Sequence, residues 1–135
     1  MAMTGRHIAV VALTVLAAAA FAAPVRADKM ARAIYMNTSY CAGIAEGYSE
    51  ALKQAGGWSF SGKASAASRV AAELKRRAET YGRRQNMSAS EGARAASMGR
   101  SAISKMLAGG NWRQGGDIPT EAYRQYQHCA TLAEI

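Results

Sequence analysis

The sequence predicts an all-α fold: a small four-helix up-down-up-down bundle behind a cleaved amino-terminal export signal. Three observations carry this. Apolar residues recur at three- and four-residue intervals through four segments. Glycine pairs, Gly56-Gly57 and Gly109-Gly110, stop two of those segments. No segment alternates apolar and polar residues as a half-buried strand does.

Residues 1–27 read as a secretory signal peptide. Arg6 gives the positive start, Ile8 to Ala23 runs without a charged residue, and Val25-Arg26-Ala27 supplies small residues around a cleavage point after Ala27. A cut after Ala22 also fits the small-residue rule, but Pro24 would then stiffen the strand that the peptidase binds. The apolar run is shorter than the roughly 20 residues a membrane span needs, and half of it is alanine. That alanine-heavy core resembles bacterial signals, which implies a periplasmic or secreted protein. Residues 28–135 then form a single helical domain.

In the first helix, Asp28 to Ala55, the stripe is Ile34, Cys41, Ile44, Tyr48 and Leu52. Gly43 and Gly47 lie one turn apart. Glycine costs about 1 kcal/mol in a helix relative to alanine, so the pair implies that another helix backbone comes close. Trp58 to Gly62 reads as a connection. The second helix, Lys63 to Gln85, has the stripe Ala67, Val70, Ala71, Leu74, Ala78 and Tyr81, with Glu73–Arg77 and Glu79–Arg83 as i,i+4 pairs. Ser88-Ala89-Ser90-Glu91 is a capping box that opens the third helix. Ala95, Met98, Ala102, Ile103, Met106 and Leu107 line that helix's inner side. A loop over 111–118 leads to Pro119, which suits the first turn of a fourth helix carrying Ala122, Tyr126, Cys129 and Ala133. A faint echo relates the two glycine stops, each followed by a tryptophan.

The two cysteines, Cys41 and Cys129, both lie beyond the leader. In an exported chain that pattern predicts a disulfide. An up-down bundle makes the first and last helices antiparallel neighbours, with both cysteines near mid-height, so the helix count and the bridge support each other.

Beyond the leader, 15 Lys and Arg stand against nine Asp and Glu. The excess concentrates on the second helix at Arg69, Lys75, Arg76, Arg77, Arg83 and Arg84. Such a face fits an anionic surface, and export favours an envelope protein, polysaccharide or lipid over nucleic acid. A purely solubilising face is the plainer alternative. Trp58 and Trp112 follow the two glycine stops. They are expected either to line a shallow hydrophobic site at one end of the bundle or to cover its core.

Chemistry is sparse. Glu46 and Glu50 share a helix face and form the one candidate acid/base pair. His128 neighbours Cys129, but adjacent helical residues point about 100° apart. No phosphate-binding glycine loop, C-x-x-C or haem-attachment motif occurs, and two distant cysteines with a single histidine beyond the leader do not match zinc spacing. No cofactor and no metal are expected. The function expected is therefore a non-enzymatic envelope module that binds a protein partner or an anionic component. The alternatives are a small hydrolase-like enzyme using Glu46 and Glu50, or a periplasmic chaperone or stress protein.

Overall fold

The computed structural model describes residues 24–134, and the regular structure among them is entirely helical. Helix α1 spans Pro24–Ala55, α2 Trp58–Arg84, α3 Ala89–Met106 and α4 Thr120–Glu134. A 3-10 turn, Trp112–Gln114, interrupts the link between α3 and α4. The leader expected at 1–27 lies outside the described residues except for 24–27, which belong to α1. Two compact units divide the chain at Ala33 and Ile34. The described part of the first is the start of α1, and the core cluster lies wholly in the second.

Two glycines in the left-handed region, Gly56 (φ 69°) and Gly57 (φ 88°), separate α1 from α2. Side chains rarely tolerate that region, so the pair turns the chain within two residues. Helix α2 therefore starts directly at Trp58, and the expected connection over 58–62 is its first turn. At the other end of α2, Asn86 also takes positive φ (54°), and the Met87 N–H donates to the Gly82 carbonyl at 2.8 Å. That bond closes a Schellman-type end. Ser88 then precedes α3 as the capping residue, but its hydroxyl pairs with Ser90 Oγ at 2.7 Å and does not cap the helix.

Helix α1 is the centre of the packing. Cys41, Ala42, Gly43, Ile44 and Ala45 are all buried, as are Gly47, Tyr48 and Ser49. Five consecutive buried residues cover every side of a helix, so α1 is enclosed there and does not merely present one stripe. Ile34, the first residue of the expected stripe, is 46 % exposed, while Tyr35 is buried instead.

The glycines explain how α3 approaches. A Cβ placed on Gly43 would land on the Ala96 carbonyl oxygen, and one on Gly99 would land on the Tyr40 carbonyl oxygen. A Cβ on Gly47 would come within 2.6 Å of the Ile103 side chain. Gly43 of α1 thus meets the Ala96 backbone, Gly99 of α3 meets the Tyr40 backbone, and Gly47 lies against Ile103 and Arg100, a close approach of the kind the spacing predicted. Met98, expected on the inner side of α3, is 60 % exposed because the neighbouring Gly99 takes that position.

Tyr35 fills the space where α2 and α3 both carry glycine. Its ring covers Gly82, its hydroxyl stands beside Gly92, and that hydroxyl donates to the Ser88 carbonyl at 3.1 Å. Ser49 Oγ of α1 donates to the Ala64 carbonyl of α2 at 2.9 Å and meets Ser68 Oγ at 2.6 Å, which satisfies a buried hydroxyl.

Helix α4 is held at two heights. The disulfide joins Cys41 to Cys129 with Cα atoms 5.1 Å apart, bridging the first and last helices across 88 positions. The Tyr48 and Tyr126 rings stack at 4.3 Å. Burial pushes the Tyr48 phenol up to about 12, with Tyr126 and Tyr123 adding to the effect.

Candidate functional site

Helix α2 buries Ala64, Ala67, Leu74, Ala78 and Gly82. At about 100° per residue, Arg69, Arg76 and Arg83 fall on the opposite side, in a row with steps of about 10.5 Å. The six expected cations of α2 nevertheless divide into different roles.

Arg77 belongs to the fold. Its Nη1 and Nη2 donate to the Leu132 and Ala133 carbonyls at 2.8 and 2.7 Å, and its Nε donates to Glu73 at 2.8 Å. Carbonyls in the last turn of a helix have no partner within it, so Arg77 closes the end of α4 from a neighbouring element. Half-buried and fully engaged, it is removed from the docking set that the sequence suggested. Arg76 is exposed and shares Glu73, with Nη2 to Oε1 at 2.7 Å. Hydrogen bonds from Arg76 and Arg77 hold the Glu73 carboxyl down to about 2.

The other four, Arg69, Lys75, Arg83 and Arg84, are exposed, and no carboxylate among the described residues pairs with them. The expected Glu79–Arg83 pair is not formed. Arg83 and Arg84 also occupy the last turn of α2, where positive charge suits the helix dipole.

Lys75 and Arg83 border a groove of about 620 Å³. Tyr35, Glu46, Met87 and Arg100 line it as well, over a floor of alanine and glycine. Arg100 Nη2 meets Glu46 Oε2 at 2.9 Å, while Arg100 Nε is buried without a hydrogen-bond partner. The candidate pair Glu46 and Glu50 is placed unequally: Glu46 lines the groove in its ion pair, and Glu50 is exposed and does not line it. No group of three metal-ligating side chains occurs among the described residues.

No known protein family, curated protein or solved structure matches the chain.

The two tryptophans have different surroundings. Trp112 is fully buried, donates Nε1–H to the Leu107 carbonyl at 3.0 Å, and meets Phe60 edge-on at 5.7 Å. Arg113 lies 4.4 Å above its ring. Trp112 therefore plugs the core and presents no face to a shared hydrophobic site. Trp58 is 94 % exposed on the first turn of α2. Sequence reading missed this split because the acceptor for the Trp112 indole is a backbone carbonyl, which leaves no trace in residue type.

Proposed function

We propose that this chain is an exported, disulfide-stapled helical module of the bacterial envelope that docks on an anionic component through the outward side of α2. The observation that carries the reading is the set Arg69, Lys75, Arg83 and Arg84, exposed and without carboxylate partners among the described residues. Unpaired cations along one helix create a positive potential that attracts polyanions and speeds encounter. Arg76 strengthens the face, because an exposed i,i+3 pair is weak and readily exchanged.

Export rests on the leader pattern of residues 1–27 with cleavage after Ala27, and the Cys41–Cys129 bridge fits an oxidising compartment. Among the described residues, no helix is long and apolar enough to cross a membrane. The up-down-up-down order draws support from paired contacts: Ser49 with Ser68 and Tyr35 with Gly82 on α2, then Tyr48 with Tyr126 and Cys41 with Cys129 on α4, both in reversed order.

Retention on an anionic matrix tests the reading. Changing Arg69, Arg83 and Arg84 together to Gln is expected to abolish retention at moderate salt. Changing Arg94, Lys105 and Arg124 together to Gln, three exposed cations on α3 and α4, is expected to lower it only slightly. Equal losses in the two variants would show that bulk charge, not the α2 face, is responsible.

A further inference from the structure

Trp58 lies on the same side of α2 as the arginine row. Steps of 11, 7 and 7 residues separate Trp58, Arg69, Arg76 and Arg83. At about 100° per residue these positions stay within roughly 40° of one another around the helix. The stripe therefore begins with an indole that is 94 % exposed and continues through three exposed guanidinium groups. Ser65 lies between them on the same side and is exposed as well.

We infer that this stripe docks on an anionic lipid bilayer, with α2 lying along the surface and Trp58 inserted at headgroup level. The inference rests on the docking reading above and names its partner. Charge complementarity selects an anionic surface, since each arginine near such a membrane gains attraction that falls away within a Debye length. The exposed indole then selects lipid over a soluble polyanion. Tryptophan settles at the boundary between headgroups and acyl chains, where its ring is buried and its N–H stays solvated. A fully hydrated polysaccharide offers no such layer. Carboxylates near this side are few: Glu73 already faces two arginines, and Glu79 borders the groove that Arg83 also lines.

Tryptophan fluorescence on vesicles tests this without a label. Trp112 is already fully buried, so a change in emission reports on Trp58. With phosphatidylcholine vesicles containing phosphatidylglycerol, emission is expected to move to shorter wavelength and Trp58 to become protected from an aqueous quencher. Measured by co-sedimentation with the vesicles, because the variant lacks the reporting indole, Trp58→Ser is expected to weaken partitioning about tenfold. Joint change of Arg69, Arg76 and Arg83 to Gln is expected to weaken it roughly 100-fold. Both variants alter exposed side chains, and an unchanged helical circular dichroism spectrum establishes that they fold.

Three results would overturn the inference. One is vesicle binding with no emission change. Another is an equal change on adding heparin. The third is a lipid-free change that grows with protein concentration, which would assign the stripe to a second copy of the chain. Failure to bind either heparin or anionic vesicles would instead sink the broader docking reading.

Discussion

The carbonyl oxygen of Ala96 occupies the place where a side chain on Gly43 would stand. This contact sets the distance between α1 and α3 and lets α1 run enclosed through the core. Gly43→Ala is expected to force the helices apart and destabilise the fold by about 2–3 kcal/mol. Gly62, in α2, has nothing within 4 Å of its would-be Cβ. Gly62→Ala is expected to stabilise by about 0.5–1 kcal/mol. Urea midpoints of the two variants should therefore move in opposite directions.

The disulfide closes a loop of 88 positions. The chain-entropy relation assigns such a loop about 4–5 kcal/mol. Joint replacement of Cys41 and Cys129 by Ser should lower the thermal midpoint accordingly. Each cysteine is 1 % exposed, so dithiothreitol without denaturant should react slowly with the native protein. Fast reduction would show that α4 opens locally.

Arg77 and Arg76 are neighbours in sequence with different expected costs. Arg77→Gln strips charged donors from the Leu132 and Ala133 carbonyls and should cost about 1–2 kcal/mol. Hydrogen exchange at the end of α4 should rise with it. Arg76→Gln removes an exposed ion pair and should cost no more than about 0.5 kcal/mol.

Two titrations bound the pH range. Glu73 is held at about 2 against an ordinary 4.5, so its ionised form favours the fold. That contribution is present above pH 4.5 and is lost as pH falls toward 2. Tyr48 is shifted the other way, from 10.0 to about 12, so its neutral form favours the fold. Its contribution is present below pH 10 and is lost as pH rises toward 12. Unfolding midpoints followed into alkali should fall in that window, and Tyr48→Phe should flatten the fall.

The helices, the bridge and the close approach at Gly43 were legible in sequence, because apolar period, cysteine count and glycine spacing each have one main physical cause. What was not legible depends on partners chosen in space. Glycine and serine over 58–62 read as a loop, yet two left-handed glycines complete the turn before Trp58. Met98 outranks Gly99 by hydrophobicity, but close backbone packing selects the smaller residue. Arg77 looks like its neighbours until the end of α4 arrives beside it.

The salt dependence of heparin binding tests the docking face most directly. Binding should weaken log-linearly as salt rises, since each cation at a polyanion releases condensed counterions. Single changes of Arg69, Arg83 and Arg84 to Gln should each reduce the slope by about 1. Slopes that stay at the wild-type value in all three variants would contradict the account.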